Sequence, residues 1–243
     1  MKKFILLFIL CLISCKTEKK EDVAINKTSK KSNILFISID DLNDWSSFLK
    51  NFPNVKTPNI DKLAANGIAF TNAHCQAPIC APSRTSLMSG LYPHTTGLYY
   101  QFTDKDLKVK NEAIEKTNYL PDYLEQNGYK TLAVGKVFHS GDENGVFDEY
   151  GGVFSTMKFG PYLKNRERKN YDPKWFPNKR GGTVTDWAPL NVPDSVTSDY
   201  KIADWAVKKL DEKHTKPFFM AVGFVRPHVP LSLIHISEPT RLG

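Results

Sequence analysis

Apolar residues in this chain cluster in short unbroken runs, separated by polar stretches that carry Gly, Pro and Asn. Residues 33–39 (NILFISI) form one such run and predict a buried strand. Thr57 and Pro58 read as an N-cap and first helical position, with Gly67 as the stop, so a helix is predicted between them. Residues 68–71 (IAFT) predict a short strand. Helices are expected from Pro82 to Gly90 and over 120–127, just before Gly128. Residues 131–134 (TLAV) fit another buried strand. Ala203, Ala206, Val207 and Leu210 form an apolar stripe that predicts a helix over 198–214, and 217–224 (PFFMAVGF) closes the series as a strand. Strands alternating with helices predict an α/β fold with a largely parallel sheet. Residues 140–197, rich in Gly, Pro, Asn and aromatics, read as a long surface excursion.

The two ends follow other patterns. Met1-Lys2-Lys3 and the apolar run 4–13 have the layout of an export signal, too short to span a bilayer. The run ends in Leu12-Ile13-Ser14-Cys15, which resembles the lipobox of bacterial lipoproteins and marks Cys15 for lipidation. An ordinary cleaved signal is the alternative. Residues 16–32 lack apolar periodicity and read as a solvated tether. The expected location is therefore outside the cytoplasm, periplasmic or cell-surface, anchored to a membrane by acyl chains. Residues 231–241 (LSLIHISEPTR) match the in-frame translation of a transposon-type sequencing adapter. Residues 231–243 are thus expected to be foreign to a natural protein that continues past Pro230, which leaves 33–230 as the folded part.

Charge changes one inference. The formal net charge of +7 would favour nucleic acid as a partner, but eight Lys against three acids lie in residues 1–31. Residues 32–230 carry 24 basic and 22 acidic side chains, so no basic face and no nucleic-acid partner are expected. With 41% hydrophobic residues the chain is neither fibrous nor wholly disordered.

Candidate chemistry sits in four places, three of them just after predicted strands. Asp40-Asp41 follows the first strand; adjacent carboxylates there suit a hard cation such as Ca²⁺, or one of them caps a turn. Cys80-Ala81-Pro82-Ser83-Arg84 opens a helix. Its N-terminus favours an anion, and the Arg84 fork can hold an oxyanion. Cys80 is then a candidate thiolate nucleophile, or half of a Cys75–Cys80 disulfide in an exported protein. Gly135-Lys136-Val137-Phe138-His139 follows the 131–134 strand and can turn Lys136 and His139 into one pocket. Arg226-Pro227-His228-Val229-Pro230 follows the last strand, and two prolines around one imidazole suit a positioned acid.

The second motif resembles a family signature. C-x-P-S-R, three residues, an aliphatic residue, Ser or Thr, and Gly mark the type I sulfatases, and residues 80–90 meet every fixed position. The G-K-x-x-H segment and the run FFMAVGFVRPHVP are similar to those of the iduronate-2-sulfatase-like branch, although Arg226 stands where Lys is common and His94 where Asp is common. The resemblance implies an alkaline-phosphatase-like fold and hydrolysis of sulfate esters on a sulfated saccharide. It implies that a maturation enzyme oxidises Cys80 to formylglycine, whose hydrate attacks sulfur, and that Asp40, Asp41 and the residue 80 side chain hold Ca²⁺. Arg84 would hold the formylglycine and its charge. Lys136 would offset sulfuryl charge, His139 would act as base and His228 as acid. Cys75 matches no catalytic position and is expected to be a buried free thiol.

Two alternatives remain from the residues. A phosphatase or phosphodiesterase of the same fold would share Asp40 but lacks C-x-P-S-R. A non-catalytic lipoprotein that binds sulfated glycan would not need an oxidisable cysteine. Further metal ligands are expected beyond Pro230, so residues 1–243 alone are expected to be inactive.

Overall fold

Strand β5 (Phe218–Phe224) is the axis of the sheet, and its composition shows why. A strand covered on both faces reads as an unbroken apolar run, not as an alternation. Phe219 and Ala221 point to one side, where Met88, Leu107, Ile114, Tyr119, Ala133, Val137, Phe138, Val146 and Phe147 pack with them. Phe218, Met220 and Val222 point to the other, against Leu132, Val134, Ile202, Ala206 and Val225. Each fully buried Phe, Leu or Met contributes about 1.5–3 kcal/mol of burial free energy.

The computed structural model describes residues 31–44, 46–141, 145–153, 187–188, 193–228 and 231–232. Cys15, the tether through residue 30 and residues 233–243 lie outside them. Within the compact unit Ser32–Gly243, β1 (Ile34–Ile39), β5, β2 (Lys130–Gly135) and β3 (Glu149–Tyr150) form a parallel sheet in the order β1-β5-β2-β3. Helices α1 (Pro58–Ala65), α2 (Cys80–Ser89), α3 (Pro93–Thr96), α4 (Leu107–Lys110), α5 (Glu112–Glu115) and α6 (Leu120–Gln126) fall between β1 and β2 in the chain. Helix α7 (Ser198–Asp211) lies over β2 and β5, inserting Ile202 and Ala206. Two-residue strands β4 (Trp187–Ala188) and β6 (Leu231–Ser232) pair separately. Among the described residues no helix is long and apolar enough to cross a membrane.

Four expectations change. Helix α2 starts at Cys80, so Pro82 is its third residue; a first-turn proline is tolerated because its missing N–H belongs to the four that have no intrahelical acceptor. Residues 68–71 are not a strand: Ile68 and Phe70 are 83% and 79% exposed and meet no partner strand among the described residues. The stretch 140–197 is not purely a surface excursion, since Val146 and Phe147 enter the core and β3 pairs with β2. Among the described residues strand β1 lies at the edge of the sheet and is not fully covered. Phe36 packs on the core while Leu35 and Ile37 remain exposed.

The sheet delivers three chemical segments to one side. All four strands are parallel, so β1, β2 and β5 end at the same edge and continue into Asp40, Lys136 and Val225. The ends of β2 and β5 approach unusually closely. A Cβ on Gly223 would stand 2.1 Å from the Lys136 carbonyl oxygen, and one on Gly135 would stand 2.2 Å from that of Gly223. The neighbours are backbone and cannot swing aside. Gly223→Ala is therefore expected to destabilise the protein by about 3 kcal/mol or more and to lower the melting temperature by roughly 6–12 °C, read by thermal unfolding against wild type.

Candidate active site

Strand β1 runs directly into Asp40, whose N–H donates to the Phe224 carbonyl at 3.1 Å and so extends the β1–β5 ladder by one rung. That rung holds the Asp40 side chain inside, 4% exposed, between two cations. Its Oδ1 accepts from Arg84 Nη2 at 2.8 Å and its Oδ2 from Lys136 Nζ at 2.5 Å. Arg84 also donates through Nη1 to the carbonyls of Lys136 and Val137, the latter at 3.0 Å. Burial alone would raise the Asp40 pKa; the Arg84 charge and the hydrogen bonds from Lys136 and Arg84 more than offset it, and the carboxyl sits below its ordinary value. The Arg84 fork is thus not an open oxyanion grip. It is buried and ties β1, α2 and the end of β2 together.

Asp41 leaves the ladder in a left-handed turn with φ 58°, which carries its side chain to the exposed side. Its Oδ1 lies 4.0 Å from Cys80 Sγ and its Oδ2 lies 3.8 Å from His228 Nε2. The segment leading to His228 is held by a contact that the sequence does not advertise. The Asp199 carboxylate, in the first turn of α7, accepts from the N–H groups of Val225 and Arg226, both at 2.9 Å. The chain then turns, with His228 N–H donating to the Val225 carbonyl at 3.0 Å.

Cys80 is half-buried in the first turn of α2. Burial, then the Asp40 charge, raises its thiol pKa, and the opposing charges of Lys136 and Arg84 do not compensate. As an unmodified residue it is therefore a thiol at neutral pH, and the thiolate-nucleophile reading is not supported. No disulfide forms either: Cys75 is a free cysteine and it is exposed rather than buried, on the same unpartnered 68–78 stretch as Ile68 and Phe70. His139 is half-buried, and burial followed by the Lys136 charge lowers its pKa. Its Nε2 lies 3.0 Å from the amide nitrogen of Gln101, whose oxygen accepts from the Ala81 N–H at 3.0 Å. Gln101 lies in a loop with no motif around it, so only the structure finds it. His94 is exposed, stacked on Tyr92 at 5.2 Å.

Ligand atoms of Asp40, Cys80 and His228 lie within 4.8 Å of one another, with Asp41 beside them. The Asp40 carboxylate in this cluster, with the exposed Asp41 carboxylate near Cys80 and His228, supplies hard oxygen donors that fit a divalent cation such as Ca²⁺. Cys80 contributes its Sγ to the same cluster. Six to eight ligands are usual for Ca²⁺, so these residues supply part of a shell.

The sulfatase family model matches residues 32–238. The chain belongs to the sulfatase family. It is 41% identical over 234 residues to a sulfatase of Formosa agariphila, covering 94% of this chain and 45% of that protein. It is 33% identical over 207 residues to human iduronate 2-sulfatase, covering 84% of this chain and 36% of that protein. A solved structure in complex with its substrate D-glucosamine-2-N,6-O-disulfate superposes with a TM-score of 0.55 at 23% identity, over 82% of this chain and 35% of that one. That likeness shows the expected alkaline-phosphatase-like sulfatase fold. The sulfatase chain thus spans less than half the length of these relatives.

Two outcomes follow from the charges. Asp40→Asn leaves Arg84 and Lys136 buried without a counter-charge and is expected to cost about 3–5 kcal/mol, whereas exposed Asp41→Asn should stay within about 0.5 kcal/mol; denaturant unfolding distinguishes the two. For His139, the unfolded chain takes up its proton at a higher pH than the folded one. Its contribution is therefore intact above about pH 6.5 and is lost as pH falls from there through the folded value. His139→Gln is expected to flatten the decline in melting temperature on the acid side of pH 6.5.

Proposed function

We propose that this sulfatase, at its full natural length, hydrolyses a sulfate ester of a saccharide, splitting it with water into the alcohol and inorganic sulfate. One observation carries the reading: the ends of three parallel strands and the start of α2 bring Asp40, Asp41, Cys80, Lys136, His139 and His228 to one side of the sheet. The likeness to iduronate 2-sulfatase supports a sugar sulfate as the substrate class.

The cysteine in C-A-P-S-R is the residue to be oxidised to formylglycine by a maturation enzyme, and its hydrated aldehyde supplies the oxygen nucleophile toward sulfur. The raised pKa of the unmodified thiol agrees with a need for that conversion. Asp40 and Asp41 would hold Ca²⁺, a Lewis acid for the sulfuryl oxygens. The chain's own groups do the rest. Arg84 and Lys136 keep Asp40 ionised and aimed. Lys136 adds positive charge where the sulfuryl oxygens gather negative charge. His228, beside Asp41 at the rim, gives its Nε2 proton to the departing sugar oxygen, and His139 takes a proton at Nε2. The leader ending at Cys15, with residues 16–32 as tether, would hold the enzyme on a membrane outside the cytoplasm, where polymeric sulfated saccharides are met.

Enzyme matured in its native host is expected to show the mass loss of thiol-to-aldehyde conversion in the peptide containing residue 80, and to release sulfate from sulfated saccharides in a chelator-sensitive way. Cys80→Ala should abolish release. A persistent unmodified thiol in active enzyme, or full activity of Cys80→Ala, overturns the reading.

A further inference from the structure

Helix α2 begins without a cap of its own. The residue before it, Ile79, has no side-chain acceptor, and Ala81 is fully buried. The Ala81 N–H is one of the donors that a helix cannot satisfy internally, and a buried donor left alone is costly. Its acceptor comes from twenty residues further along the chain, Gln101 Oε1 at 3.0 Å. That bond decides which way the Gln101 amide points, because a backbone N–H can pair only with the amide oxygen. The NH₂ group is then the end that faces His139, 3.0 Å from Nε2. An amide N–H donates, so His139 Nε2 must offer its lone pair and the ring proton must sit on Nδ1. The opposite tautomer would turn the amide around and set its NH₂ against the Ala81 N–H, donor against donor. The other ring nitrogen, Nδ1, is buried without a hydrogen-bond partner among the described residues, so the Gln101 contact alone decides the tautomer.

We propose that Gln101 is a positioning residue that caps the helix carrying residue 80 and, through the same amide, holds His139 as the Nδ1–H tautomer with Nε2 as its basic nitrogen. The role in turnover rests on His139 acting as the base, whereas the tautomer can be read without any reaction. Substitution separates the two bonds. Gln101→Glu keeps an oxygen for the Ala81 N–H, so the cap survives, but it presents a second acceptor to His139 and so requires a proton on Nε2. Gln101→Leu removes both bonds.

The test is ¹⁵N NMR of histidine-labelled protein, with the His139 ring assigned by its loss in His139→Gln. Wild type is expected to show a pyridine-type Nε2 and a pyrrole-type Nδ1 at a pH where the ring is neutral. Gln101→Glu should protonate Nε2 under the same conditions while remaining folded. In sulfate release it should lower kcat by roughly tenfold or more and change KM by less than about twofold. A wild-type ring protonated at Nε2 overturns the proposal, as does a folded Gln101→Glu variant whose His139 signals match wild type. Should Gln101→Leu fail to fold, the Glu variant decides alone. The expected NMR pattern in a protein that releases no sulfate would uphold the Gln101 assignment and overturn the proposed sulfate-ester hydrolysis instead.

Discussion

The buried Asp40 carboxylate, gripped by Arg84 on one oxygen and Lys136 on the other, is the interaction on which the rest of the site depends. Taking three charges out of water is expensive, and the cost is met only where geometry and hydrogen bonds are good. Here each charge comes from a different element: the end of β1, the body of α2 and the turn after β2. Arg84 adds bonds to the carbonyls of Lys136 and Val137, so the loop that presents Lys136 and His139 is fastened to the signature helix. A purely apolar contact would pack these elements but would not fix their register so narrowly, because dispersion and burial have little direction.

Close backbone approach makes that triad possible. Lys136 N–H donates to the Gly223 carbonyl at 2.8 Å, and Gly135 turns with φ 77° to let the chain leave the sheet. With a side chain at either glycine the β2 and β5 ends would separate, and Lys136 would no longer reach Asp40. Packing supports the arrangement: Phe138 of this loop joins Tyr119, Phe147 and Phe219 in a run of ring contacts at 5.2–6.5 Å. Site geometry and core packing are therefore one mechanical unit.

The environment of residue 80 shows how competing electrostatic effects are decided by distance and burial. A helix N-terminus and two nearby cations would each favour a thiolate. Burial and the Asp40 charge outweigh them, because both cations are already paired to Asp40. The result is a neutral position set among charged neighbours. Its immediate company is Asp41 on one side and, through Ala81 and Gln101, His139 on the other.

Much of this was legible in the chain itself. The runs NILFISI and PFFMAVGF, and the TLAV core of the segment that became β2, marked three strands, and the lack of alternation in PFFMAVGF and TLAV pointed to strands covered on both faces, as parallel strands are. The chemical segments followed those strands directly, so their convergence at one edge was implied once the strands were parallel. The motif C-A-P-S-R identified residue 80 and Arg84. Distance in sequence hid the remainder. The pairing of Asp40 with Arg84 and Lys136 spans 44 and 96 residues, and Asp199 reaches its amides across 26 and 27. Gln101 sits in an unmarked loop, and the edge position of β1 and the open 68–71 stretch depend on which elements lie alongside. Local pattern sets which residues are strand, helix or turn; which charge meets which, and which nitrogen of a histidine carries its proton, is set by contacts that only the folded chain brings within hydrogen-bonding reach.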